Sequence, residues 1–181
     1  LSGDPGVGKS TIMLQIALQI AKGEKKVLYV SGEESESQVK IRAERIVSEK
    51  DLKVSTLSIF SSTDIDQIIS VSDTSKIDLL IVDSIQTMSS NDATGFPGSL
   101  PQIRYATMKL VNFAKKNHIP VFLIGHVTKD GVVAGPMLLS HMVDCVLYLE
   151  GDTMTGTRIV RSFKNRFGDT SEVGIFLMEE K

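Results

Sequence analysis

The sequence predicts an α/β fold: a mostly parallel central sheet flanked by helices, with an antiparallel extension toward the C-terminal end. Three observations point to it. A glycine-rich loop, Gly3 to Ser10, runs directly into a segment with helical apolar spacing. Short apolar runs then alternate with amphipathic helical segments, the pattern of parallel strands joined by crossover helices. The last apolar segments, Cys145 to Glu150 and Arg158 to Lys164, have no helical segment between them and are expected to pair antiparallel.

In chain order, Thr11 to Ala21 reads as a helix, with Ile12, Leu14, Ile16, Ala17 and Ile20 at helical spacing and Gly23 as its stop. Val27 to Val30 is a strand candidate closed by Ser31 and Gly32. Glu33-Glu34-Ser35 leads into a helix to about Ser48, whose solvated side is expected to carry Arg42, Arg45 and Glu49. Val54 to Phe60 is a second strand candidate, and Asp64 to Val71 a short helix with Ile65, Ile68 and Ile69 on one face. Leu79 to Asp83 is a continuous apolar run ending in a carboxylate, which reads as a parallel strand buried on both faces. Thr87 to Pro101 is longer than an ordinary connection and is read as a mobile or functional loop. Gln102 to Lys116 is the next helix and Pro120 to Gly125 the next strand, before a second polar loop, Thr128 to Pro136.

Composition bounds the function. With 41% hydrophobic and 23% charged residues the 181-residue chain is that of one soluble globular domain, spanning residues 1–181. Twenty Lys and Arg against 22 Asp and Glu give a net charge of −2, so bulk charge cannot attract a polyanion and any nucleic-acid contact must come from a local patch. A single cysteine, Cys145, excludes an internal disulfide and a multi-cysteine metal site in this segment and points to a reducing compartment. No apolar run approaches the roughly 20 residues that span a bilayer. A phosphate loop is normally fed by a buried strand of about five residues, which would lie before Leu1. The segment is therefore expected to be a fragment, with Leu1 to Gly6 either disordered or supported by a strand from a neighbour.

Gly3-Asp4-Pro5-Gly6-Val7-Gly8-Lys9-Ser10 matches the phosphate-binding pattern G-x-x-x-x-G-K-[ST] at every defined position. Its backbone N–H groups, with those of Ser10 and Thr11, are expected to cradle phosphate oxygens. Lys9 supplies a cation to the β and γ phosphates, and the Ser10 hydroxyl ligates Mg²⁺. Asp83, at the end of its apolar strand, is the expected carboxylate for that Mg²⁺, the plainer alternative being a loop cap. In many nucleotidases the water-activating carboxylate follows that aspartate, but here the neighbour is Ser84, which cannot act as a base. Glu33, at the tip of an earlier strand, can polarise the attacking water instead, with Glu34 as helper. The alternative is that the pair only caps the following helix, where a carboxylate is favoured by the helix dipole. Lys164 and Arg166 alternate with Asn165 at a late strand tip, so both are expected on one outward side; taken alone they read as a solvated edge. His118 and His141 read as structural, and the three histidines have no metal-ligand spacing.

Together these features resemble the RecA-like P-loop NTPases. Four stretches narrow the resemblance to the bacterial RadA (Sms) family of DNA repair ATPases: Val30-Ser31-Gly32-Glu33-Glu34-Ser35, Val82-Asp83-Ser84-Ile85-Gln86-Thr87, Gly125-His126-Val127-Thr128-Lys129-Asp130-Gly131 and Lys164-Asn165-Arg166-Phe167-Gly168. The resemblance covers essentially the whole chain. It implies a DNA-stimulated ATPase core, using ATP and Mg²⁺, that processes recombination intermediates by branch migration with helicase-like action. It also implies a homo-hexameric ring, single-stranded or branched DNA and a recombinase filament as partners, no membrane, and a location in the bacterial cytoplasm. An N-terminal four-cysteine module, the only place zinc is expected, and a C-terminal Lon-like domain would lie outside this chain. Within the family, Lys164 and Arg166 reach a neighbour's γ-phosphate as an arginine finger does. His126 would contact the γ-phosphate, or else is simply hydrogen-bonded at a strand end. Arg104 and Lys129, flanking the polar loops, would meet DNA phosphates, or else are ordinary solvated charges. Phe96 to Pro101 and Met137 depart from the family pattern.

Two other functions fit the same loop. One is an ATP-dependent oligomeric switch or scaffold of this fold without motor activity. The other is a small-molecule kinase, disfavoured by the Glu33-Glu34 pair and by the absence of an Arg-rich lid in the sequence.

Overall fold

The computed structural model describes residues 1–46, 56–126, 139–152 and 155–178. Its internal contacts gather in two compact units, Ser10–Ile124 and Leu1–Lys9 with Gly125–Lys181.

In the Ser10–Ile124 unit, helix α1 (Lys9–Lys22) leads to strand β2 (Val27–Ser31), helix α2 (Glu36–Ile46), strand β3 (Leu57–Ser61), helix α3 (Ile65–Ser75), strand β4 (Leu79–Asp83), helix α4 (Leu100–Asn117) and strand β5 (Val121–His126). Strand β2 runs parallel between β3 and β4, and β4 pairs parallel with β5. Every residue of β2 and of β4 is buried, as the continuous apolar runs require of strands covered on both faces. Met13, Leu14, Ala17 and Leu18 of α1, Val39 and Ala43 of α2, Ile65 and Ile68 of α3, and Ile103, Ala106 and Leu110 of α4 are buried at helical spacing. A fully buried Leu or Ile of this kind contributes about 1.5–3 kcal/mol.

Capping residues set the helix starts. Ser35 and Gln38 form a capping box: the Gln38 N–H donates to Ser35 Oγ at 3.4 Å and the Ser35 N–H to Gln38 Oε1 at 2.8 Å. Asp64 caps α3 by accepting from the N–H groups of Asp66 and Gln67. His118 ends α4 in the left-handed conformation, the structural role expected of it.

The segment between β4 and α4, expected to be mobile or functional, is tied to α4. After a 3₁₀ turn at Ile85–Thr87, the buried Gln102 side chain fastens it. Gln102 Oε1 accepts from the Ser90 N–H at 2.9 Å, and Nε2 donates to the carbonyls of Ser90, Ala93 and Gly95 at 3.1, 2.8 and 3.2 Å. The buried amide thus meets its hydrogen-bonding needs on the backbone of this segment.

In the other unit, strand β1 (Ser2–Gly3) pairs parallel with the end of β5, Ser2 opposite Gly125 and Gly3 opposite His126, and with strand β6 (Cys145–Gly151). Ser2 and Gly3 thus form a two-residue strand directly ahead of the loop. Strand β7 (Thr157–Asn165) pairs antiparallel with β6 and with β8 (Val173–Leu177), which the sequence reading did not mark. Among the described residues the pairings are parallel up to β6 and antiparallel thereafter, as the α/β expectation with its C-terminal extension requires. No helix among the described residues is long and apolar enough to cross a membrane.

Candidate active site

The phosphate loop begins where β1 ends. A Cβ on Gly3 would lie 2.2 Å from the Leu149 carbonyl oxygen, so the close approach to β6 admits only glycine. Asp4, Pro5 and Gly6 are exposed, the Val7 N–H donates to the Asp4 carbonyl at 3.3 Å, and Gly8 turns the chain at φ +107°. The backbone thus bends sharply just ahead of the first N–H groups of α1, the form of an anion-binding loop. Lys9 is buried, and its Nζ donates to the Gly3 and Asp4 carbonyls, both at 2.8 Å.

Arg158, on β7, was not singled out in the sequence and belongs to this loop. Its Nε donates to the Val7 carbonyl at 2.9 Å, and its Nη1 to the carbonyls of Asp152 and Thr157 at 3.2 and 3.0 Å. Gly151 makes room: a Cβ there would lie 2.8 Å from Val7 Cγ2 and 3.1 Å from Arg158 Cδ. His126, half-buried at the end of β5, is the register partner of Gly3.

Lys164 and Arg166 differ from the expected outward pair. Lys164 Nζ is turned onto the carbonyls of Ser140 and Val143 at 2.5 and 2.9 Å and is partly buried. Arg166, past the end of β7, pairs with Asp144 Oδ1 at 2.9 Å and is about half exposed. The register shifts between Val146 and Leu147, opposite Lys164 and Ser162, leaving Phe163 as the extra residue of a bulge just before Lys164.

The carboxylates gather in the Ser10–Ile124 unit. Ser10 and Thr11, both half-buried, occupy the first turn of α1. Asp83 ends β4 as the register partner of Ser31, and the Asp83–Ser84 peptide is cis. Asp83 is buried, and its Oδ2 accepts from the Tyr29 hydroxyl at 2.6 Å. Burial first, and the Asp83 charge second, push the Tyr29 phenol well above its usual range, so it stays a proton donor. Arg42, expected on the solvated side of its helix, instead turns inward: its Nη2 lies 2.7 Å from Glu34 Oε2 and 4.0 Å from Asp83 Oδ2.

The two adjacent glutamates are thereby distinguished. Glu34 is half-buried, paired with Arg42, and its N–H donates to Ser31 Oγ at 3.0 Å. Glu33 is exposed, and its Oε1 accepts from the buried Ser84 hydroxyl at 3.0 Å. The cap of α2 is formed by Ser35 and Gln38. Ser84, set aside in the sequence because it cannot be a base, orients the carboxylate that can. Arg104 is exposed on α4 with no partner among the described residues. Lys129 lies outside the described residues, as does the loop of residues 128–136.

The donor sets fit the groups the motif implies. Buried Lys9 and the loop turn suit a polyphosphate, while a serine hydroxyl and an aspartate with Oδ1 left over from the Tyr29 bond are oxygen donors of the kind Mg²⁺ takes.

Residues 1–132 match the AAA domain family. The chain is 47% identical over 181 residues to DNA repair protein RadA of Bacillus subtilis, covering 100% of this chain and 39% of that protein. It is 49% identical over 183 residues to DNA repair protein RadA of Campylobacter jejuni, covering 100% of this chain and 40% of that one. DNA repair protein RadA of Helicobacter pylori is 47% identical over 181 residues, again with 100% and 40% covered. The chain thus spans about two fifths of the length of the curated relatives it matches. It belongs to the AAA domain family and, over its full length, resembles a segment of the RadA proteins.

Proposed function

We propose that the chain is the ATP-hydrolysing core of a DNA repair protein. The observation that carries this reading is the division of labour between two adjacent glutamates: Glu34 is neutralised by Arg42, while Glu33 is exposed and oriented by Ser84. In this reading Gly3 to Thr11 bind the ATP phosphates and Lys9 exchanges its loop carbonyls for phosphate oxygens. Ser10 and Asp83 hold Mg²⁺, and Glu33 takes the proton of the attacking water. Bound Mg²⁺ supplies charge neutralisation at the β and γ oxygens.

The relatives' name as DNA repair proteins supports a DNA-stimulated activity, and the family resemblance supports branch migration in the bacterial cytoplasm by a homo-hexameric ring working beside a recombinase filament. Arg104 and Lys129 then serve as DNA-phosphate contacts, and His126 as the γ-phosphate contact. Arg166 is the better placed of the two cations to act on a neighbour, since an exposed pair such as Arg166–Asp144 is weak and exchangeable. Lys164 would first have to leave two carbonyls.

ATP turnover of the full-length protein, measured with and without single-stranded DNA, tests the proposal. Turnover stimulated by DNA is the expected result. Slow turnover indifferent to DNA would replace it with the ATP-dependent switch.

A further inference from the structure

We propose that Tyr29 and Arg42 are positioning residues for the Asp83 carboxylate, and that Glu34 acts through Arg42. The inference rests on the reading of Asp83 as the carboxylate serving Mg²⁺ with bound nucleotide.

Tyr29 is 0% exposed in the middle of β2, where a phenylalanine would fill the same ring volume. A hydroxyl at that depth requires a partner, and the partner is Asp83 Oδ2 at 2.6 Å. Arg42 reaches the same place from α2. Its Nη2 lies 3.5 Å from the Tyr29 hydroxyl and 4.0 Å from Asp83 Oδ2, and is anchored at 2.7 Å by Glu34 Oε2. The guanidinium cation offsets the burial of Asp83, the phenol fixes one carboxylate oxygen, and Glu34 fixes the guanidinium. Asp83 is thus presented with Oδ2 committed and Oδ1 left to serve the metal site. Partners behind a metal-binding carboxylate of this kind change metal affinity by about 10–100-fold when removed.

The test is an equilibrium titration of the full chain with a fluorescent ADP analogue, in Mg²⁺ and in EDTA, on the wild type and on Tyr29→Phe, Arg42→Gln and Glu34→Gln. The wild type should bind more tightly with Mg²⁺. Tyr29→Phe should keep the EDTA affinity and lose about tenfold of the gain from Mg²⁺. Arg42→Gln should behave in the same way with a smaller loss, and Glu34→Gln with the smallest. If Tyr29→Phe does not fold, Arg42→Gln decides alone, because that side chain is partly exposed and its loss leaves the strand core intact. An undiminished Mg²⁺ gain in the folded variants overturns the inference, as does an equal loss in Mg²⁺ and in EDTA. Absence of any Mg²⁺ gain in the wild type overturns the reading of Asp83 itself, and this inference with it.

Discussion

The two units of the chain hold their polar and charged side chains with a different balance of partners. In Ser10–Ile124 each carboxylate is held by a side chain: Glu34 by Arg42, Asp83 by Tyr29, and Glu33 by Ser84. In Leu1–Lys9 with Gly125–Lys181, three cations hold backbone, Lys9 on Gly3 and Asp4, Arg158 on Val7 and Lys164 on Ser140 and Val143, beside the exposed Arg166–Asp144 and Arg161–Glu150 pairs. A side-chain network responds to a change of charge at any member, whereas a cation on carbonyls fixes the path of a loop and yields only to a stronger anion. The comparison teaches that these three cations are bonded to backbone carbonyls, so any anion they were to bind would have to compete with those carbonyls.

Breaking the carbonyl-bound set at its centre should have the largest effect. Lys9→Ala is expected to lower ATP turnover by about 10³-fold or more, because the loop loses the buried cation that would meet the phosphates. Turnover near wild type would remove the phosphate-loop assignment. Next, Arg158→Ala should weaken nucleotide binding by about tenfold, roughly 1.4 kcal/mol, with a smaller change in kcat. Its bond to Val7 shapes the loop and does not touch the reaction. A pure loss of kcat would place Arg158 in the chemistry instead.

The side-chain-held unit is sharpened by variants away from the carboxylates. Gln102→Ala strips the 88–101 segment of its buried amide and should cost about 1–3 kcal/mol in urea unfolding, with nucleotide affinity unchanged. The smallest effect is expected at Asp66. Hydrogen bonds from Ser90, then Lys109, hold its carboxyl below its ordinary value. A lowered carboxyl stabilises the fold above the unfolded value of about 3.9, and that contribution is lost as the pH falls through the folded value. Asp66→Asn should therefore be slightly less stable than wild type at pH 7, with the difference shrinking as the pH falls below the ordinary carboxylate range. The difference is small because the Asp66–Lys109 pair is partly exposed to solvent.

What was legible in the sequence was local. Gly3 to Ser10, the apolar run to Asp83 and the Glu33-Glu34 pair each sit inside one short stretch, and the helices declared themselves by spacing. The partners of these residues were not legible, because each contact spans the chain: Tyr29 to Asp83 over 54 residues, Ser84 to Glu33 over 51, Arg158 to Val7 over 151. Arg42 did carry a signal, lying three residues after buried Val39 and one before buried Ala43, at the margin of the covered face of α2. Strand β8 escaped because Ile175, Phe176 and Leu177 are apolar in succession and all exposed, so they show no two-residue alternation. The partners of Lys164 were not legible either, because Ser140 and Val143 lie in a separate stretch of the chain.

The central claim is that Glu33, oriented by Ser84, is the base, and that Glu34 is held by Arg42. Single-turnover hydrolysis of saturating Mg-ATP by Glu33→Gln and Glu34→Gln of the full chain tests it most directly. Glu33→Gln is predicted to bind ATP and hydrolyse it about 10²–10⁴-fold more slowly, with Glu34→Gln within about tenfold of wild type. Stalled hydrolysis in Glu34→Gln with Glu33→Gln still active would contradict the account.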